Sequence, residues 1–157
     1  MLKTPSGPMH FATRTMNPAL PTRTDQTAAR SNWNALSNNA VVEKSRHFAI
    51  DCVKMYKHLL AAPKEFVLSK QFVRSGTSIG ANVHEAIRAQ SKADFASKMA
   101  IALKEAQETD YWLDILHETG FIATSDYDYL HNSLDELLRI LTAIGKAAKA
   151  RSTHPQS

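Results

Sequence analysis

SKADFASKMAIALKEAQETDYWLDILHETG, residues 91–120, carries the most regular pattern in the chain. Phe95, Met99, Ala102, Ala106, Thr109, Leu113 and Leu116 recur four and three residues apart, which places them on one stripe of an α-helix at the spacing of a bundle seam. Ser91 opens S-K-A-D, a capping-box-like start with Asp94 in place of the usual Glu. Gly120 is expected to stop the helix as a left-handed C-terminal cap, with Phe121 folding back.

Working outward, the same period continues on both sides. Downstream, T-S-D-Y-D puts acids in a first helical turn, favourable at the positive end of the helix dipole. Tyr127, Leu130, Leu134, Leu137, Leu141, Ile144 and Ala148 then form the seam of a fourth helix. Upstream, Val41, Phe48, Cys52, Met55 and Leu59 mark a first helix, expected to begin after Asn38 and Asn39, either of which can act as a cap, and to end at Ala62 before Pro63. The second helix is expected from about Lys64 to Gln90, with Pro63 at its start. No segment alternates with period two over a useful length. The fold class is therefore all-α, an antiparallel up-and-down four-helix bundle with short connections.

Three regions divide the chain: a Pro/Thr-rich arm at 1–38, the bundle at 39–150 and a tail at 151–157. The arm holds four of the six prolines and almost no apolar periodicity, so it cannot bury enough surface to offset its ordering entropy and reads as disordered and dispensable for folding. It also lacks the apolar core of a secretory signal. No run approaches the roughly 18 apolar residues of a membrane span. The single cysteine, Cys52, excludes an internal disulfide and fits a reducing, cytoplasmic compartment.

Charge is unevenly spread. From Lys44 to Lys98 ten Lys or Arg face four acids, whereas between Lys104 and Glu136 one base faces nine acids. A basic first half and an acidic third quarter favour an electrostatic association surface over a uniform basic coat.

The segments LSKQFVRSGTSIGANVHEA (68–86) and SKADFASKMAIALKEAQETDYWL (91–113), followed by GFI, closely resemble the bacterial ribosomal-RNA intervening-sequence protein family, across about residues 40–149. The resemblance implies a four-helix up-and-down bundle that assembles into a cyclic homo-pentamer. Accessory variability determinant proteins of diversity-generating retroelements share that architecture, bind nucleic acid and work with a reverse transcriptase. Gly80 and His84 stand where many relatives carry Pro and Ala, and the arm has no counterpart.

Helix two carries an unusual stripe. Arg74, Glu85, Ser78, Gln71, Asn82 and Arg88 fall within an arc of about 120°, opposite Phe72, Ile79, Val83, Ala86 and Ile87, which should face the core. A solvated face favours Lys, Glu and Gln, whereas Ser, Thr, Gly and Asn each cost up to about 1 kcal/mol relative to Ala. Small polar residues let another backbone approach, so the stripe reads as a subunit interface. Helix three offers a partner surface, an apolar arc of about 240° that runs from Ile115 through Ile101 and Trp112 to Leu103. Glu105 and Glu108 lie inside that arc and need partners if buried. Arg74, Ser78, Asn82, Glu85 and Arg88 with Glu105 and Glu108 are thus expected to form polar networks at a subunit boundary, with Ile101, Trp112 and Ile115 as its apolar part.

Asp114 with His117, and Asp128 with His131, invite a di-iron reading, since bundle metal sites place a carboxylate three residues before a His on two helices. Asp114 falls about 120° from its seam, however, so these are helix-surface pairs and no metal is expected. No Gly-rich phosphate loop, cofactor motif or nucleophile-with-base motif occurs, and an enzyme is not expected. Lys44, Arg46, Lys54, Lys57, Lys64 and Lys70 on the first two helices are candidate phosphate contacts, whose affinity repetition around a ring would multiply. The sequence thus points to a non-enzymatic oligomeric adaptor that binds RNA or DNA, with a purely structural protein-protein scaffold as the alternative.

Overall fold

The structure, a computed structural model, describes residue 9 and residues 26–152, with side chains at residue 9 and residues 40–150. Four helices follow one another: α1 (Gln26–Ala61), α2 (Leu68–Ile87), α3 (Lys92–Glu118) and α4 (Thr124–Ser152). Cross-helix contacts establish the antiparallel order. Arg74 pairs with Glu108 and Glu85 with Lys98, so numbers rise on α2 as they fall on α3. The same holds between α1 and α4, where Lys44 meets Glu136 and Asp51 meets Tyr129. Each helix touches two neighbours in a square, α1 beside α2 and α4, α3 beside α2 and α4, with no diagonal contact among the described residues.

The expected seams form the core. Val41, Phe48, Cys52, Met55 and Leu59 of α1 are buried against Phe72, Ile79, Val83 and Ala86 of α2. Six of the seven expected α3 positions are buried, from Met99 to Leu116, with Phe95 half-buried, and Leu130, Leu134, Leu137 and Leu141 complete the core from α4. Ile87 departs from expectation. As the last residue of α2, turned about 100° round the helix from buried Ala86, it is 48% exposed.

Two helix starts also differ. α1 begins at Gln26 rather than after Asn38. Gly80 lies against Ser45, so α2 reaches down α1 only to about residue 38. The earlier turns lie beyond α2, which is why no apolar period marks them, and extending an existing helix through Ala28, Ala29 and Ala35 requires no new nucleus. The other expected arm residues, and the tail from residue 153, lie outside the described residues except Met9.

α2 begins at Leu68, four residues later than expected, because Glu65 supplies its cap. The Glu65 carboxylate accepts the backbone N–H groups of Val67 and Leu68 at 2.9 Å each and of Ser69 at 2.6 Å. Ser69 Oγ donates back to the Glu65 carbonyl at 2.7 Å. These bonds take the orphan donors that every helix start exposes. Burial pushes the Glu65 carboxyl up, but the Ser69, Leu68 and Val67 donors outweigh it and hold it below the ordinary carboxylate range.

The ends of α3 follow the sequence closely. Ser91 Oγ accepts from Asp94 N–H at 3.1 Å, and the Asp94 carboxylate accepts from Gln90 N–H. Gly120, at φ 78°, closes α3 as Gly120 N–H donates to His117 O and Phe121 N–H to Leu116 O. That is the paired-bond Schellman arrangement.

Candidate interface and nucleic-acid surface

Small residues on α2 serve contacts within the chain as well as its outer face. Ser75 and Gly76 are buried, and a Cβ on Gly76 would sit 2.5 Å from Cys52 Sγ and 3.6 Å from Thr109 Cγ2. A Cβ on Gly80 would come within 3.2 Å of the Ser45 carbonyl oxygen. The glycines therefore set the close approach of α1 and α2, a role the sequence reading had given to a neighbouring subunit.

The outward stripe is resolved residue by residue. Arg74 Nη2 meets Glu108 Oε1 at 3.0 Å inside one chain, and Trp112 Nε1–H donates to the same oxygen at 3.3 Å. This joins three expected residues. Side-chain exposure of 62% for Arg74 and 31% for Glu108 makes the pair a surface one, worth about 0–1 kcal/mol rather than the several of a buried pair. Ser78 Oγ donates to the Arg74 carbonyl and Asn82 Nδ2 to the Ser78 carbonyl, so both turn back onto α2. Glu85 pairs with Lys98 at 2.6 Å, a partner the sequence reading missed, and the Glu85 hydrogen bond and charge raise the Lys98 ammonium. Arg88 meets His84 instead of a glutamate. Glu105 Oε2 is buried with no hydrogen-bond partner among the described residues.

On the apolar side Trp112 and Ile115 are half-buried and Ile101 is 40% exposed. Tyr111, outside the expected set, is 58% exposed and stands edge-on to Trp112 with ring centroids 4.9 Å apart. Much of the broad arc of α3 is used by its own bundle, since the helix packs against both α2 and α4. Ile101 and Tyr111 are what it leaves to solvent.

The six candidate phosphate contacts separate into two groups. Lys44 pairs with Glu136 at 2.8 Å, and Lys54 with Asp51 at 3.2 Å, where Tyr129 also donates at 3.0 Å. Arg46, Lys57, Lys64 and Lys70 are exposed and have no acidic partner among the described residues. Lys57 near the end of α1, Lys64 in the connection and Lys70 in the first turns of α2 share one end of the bundle. Between the last two, Phe66 and Val67 are 58% and 71% exposed. Sequence reasoning had placed Phe66 within a helix. Its position one residue after a capping Glu was the available signal that it belongs to a loop.

At the same end the α3–α4 side is acidic. Tyr127 Oη donates to Asp114 Oδ1 at 2.7 Å and its ring lies stacked between His117 and His131, at 4.1 and 5.2 Å. The bond to Asp114, with burial, pushes Tyr127 up to about 12. His131 faces Asp110 at 3.7 Å, whose carboxyl is raised by burial and by Asp114. The two Asp/His pairs are thus dispersed among tyrosine, threonine and each other across helices. Among the described residues no group of three or more His, Cys, Asp or Glu is placed to hold a metal, and no helix is long and apolar enough to cross a membrane.

The sequence profile of the 23S rRNA-intervening sequence proteins matches residues 37–143, which span the bundle from α1 into α4. The chain belongs to that family. A crystal structure of a protein of unknown function from the S23 ribosomal protein family of Bacteroides thetaiotaomicron VPI-5482 is 50% identical, with a TM-score of 0.69. The match covers 70% of this chain and 98% of that one. No curated protein matches the chain.

Proposed function

We propose that this family member is a non-enzymatic adaptor that assembles with copies of itself and binds RNA or DNA through phosphate contacts at the α1–α2 end. The observation that carries the reading is the group of exposed Lys57, Lys64 and Lys70, without an acidic ion-pair partner among the described residues, at the same end as exposed Phe66. Lysines without carboxylates beside them are available to phosphates, and an exposed aromatic ring among them offers a face on which a base can stack. The family's description, which refers to an intervening sequence of 23S rRNA, is consistent with a nucleic-acid partner. Self-association would use the α2–α3 edge, where Ile101 and Tyr111 are exposed and Oε2 of half-buried Glu105 has no hydrogen-bond partner among the described residues. The pentamer implied by the resemblance would repeat the lysine group five-fold on one rim. A reverse transcriptase is the protein partner that the resemblance suggests.

The test combines light scattering with binding of a random-sequence single-stranded RNA across a salt series. A mass several times 17.4 kDa is expected. Each neutralised phosphate of a single strand should contribute about −0.7 to the slope of log affinity against log salt, so three lysines from one subunit give roughly −2. Replacing Lys57, Lys64 and Lys70 together by Glu should abolish binding and leave the mass unchanged. No binding at low salt, or binding indifferent to the triple replacement, leaves the scaffold reading in place. A monomer refutes the assembly.

A further inference from the structure

Met9, the one described residue before the helices, touches the bundle. Its backbone N–H donates to Asp126 Oδ2 at 3.2 Å, across a sequence separation of 117, and its half-buried side chain packs against the core. We propose that the first turn of α4, at Asp126, is the seat of the chain's own N-terminal arm, held in cis with Met9 as its anchor.

Asp126 lies in the first turn of α4, where a carboxylate is favoured by the helix dipole and is ordinarily left facing water. Here it is only 2% exposed. A carboxylate covered to that extent needs donors from whatever covers it, and Met9 supplies one from the backbone while contributing apolar area beside it.

Charge favours the same pairing. Residues 1–25 carry Lys3, Arg14 and Arg23 against Asp25 alone. The seat's own carboxylate, Asp126, lies within the stretch from Lys104 to Glu136, where nine acids face one base. A basic segment is drawn toward that net negative stretch by attractions that are each weak and screened by salt beyond about 8 Å at physiological ionic strength.

Reach decides between this copy and another. The contacts of Asp51 with Tyr129 and of Lys44 with Glu136 set the α1–α4 register, which puts Asp126 near the level of Lys54. About 28 residues of α1 separate that level from Gln26, or about 42 Å of helix. The chain between Met9 and Gln26 spans up to about 56 Å when extended. One copy can therefore fill its own seat, with only a few residues of slack.

The experiment uses the full chain, isotopically labelled, with amide exchange at Met9 and tryptic cleavage after Arg14 as readouts. The Met9 amide should exchange at least about 10-fold more slowly than in a peptide of residues 1–25, equally at low and high protein concentration. Met9→Asp, which sets a carboxylate against Asp126 without altering any helix, should abolish that protection. It should also speed cleavage after Arg14 about 10-fold while helicity stays unchanged. Added salt should speed the same cleavage in the unaltered chain. Exchange of Met9 at the peptide rate, or cleavage indifferent to Met9→Asp, overturns the seat. Protection lost on dilution overturns docking in cis and assigns the arm to a neighbouring copy.

Discussion

Replacing Glu65 by Ala should remove the closure of α2 and destabilise the bundle by about 2 to 4 kcal/mol at pH 7. The figure is built from the three bonds. Val67 is exposed, so its N–H recovers a water, and its loss counts for little. The N–H of fully buried Ser69, now 2.6 Å from Oε2, would be left without an acceptor, at about 1 to 3 kcal/mol. Loss of the cap and of a charge at the helix N-terminus adds about 1 kcal/mol. The sign of the pH dependence follows from the depressed carboxyl. Stability from Glu65 is fully present above its unfolded value of about 4.3 and is lost as pH falls through the lower folded value. Urea unfolding at fixed protein concentration should therefore show a constant gap between native chain and Ala variant from pH 7 to about 5, closing below about 4. Glu65→Gln keeps the size and one acceptor oxygen, so it should fall between the two. An Ala variant within about 0.5 kcal/mol of the native chain at pH 7, or a gap that persists unchanged into acid, would refute the capping argument.

Gly76→Ala places a methyl group 2.5 Å from Cys52 Sγ and should cost about 1 to 3 kcal/mol despite the better helix propensity of Ala. Cys52→Ala in the same chain should recover a large part of that in calorimetry, and strictly additive effects would contradict the contact. Ultraviolet titration should find Tyr127 and Tyr129 ionising near 12, the first held by its bond to Asp114 and the second by burial and then by Asp51. Asp114→Asn should lower Tyr127 alone, assigned through Tyr127→Phe, and ionisation of both near 10 would count against the two hydrogen bonds.

The seams of α3 and α4 were legible because an apolar stripe at helical spacing needs no knowledge of its partner. Every one of Leu130, Leu134, Leu137 and Leu141 is buried where the period put it. Gly120 was legible for a similar reason, since a left-handed position at a helix end is a local property. The start of α2 was not, because its cap reaches forward from Glu65, a residue type outside the usual capping set, and Pro63 drew the boundary toward itself. The stripe on α2 was half legible. Its outward arc is real, and Arg74 does find Glu108, but a wheel drawn on one helix cannot say that Gly76 faces Cys52, or that Lys98 takes Glu85. Such pairings depend on the rotation and register of two helices together. The division of the lysines into paired and unpaired has the same origin, because Glu136 is 92 residues from Lys44 in sequence and 2.8 Å from it in space.

The unequal placement of charge at one end of the bundle, lysines on the α1–α2 side and carboxylates on the α3–α4 side, also governs how the molecule moves toward another. Opposite charges held apart on a small rigid body form a permanent dipole, and a polyanion turns such a body before touching it. In the proposed binding of nucleic acid, encounters that begin with the carboxylates in front would be repelled, so productive collisions would be selected at a distance of one or two Debye lengths. Association of the proposed complex would then be faster at low ionic strength than the contact area alone would give, while its lifetime would depend on the contacts themselves.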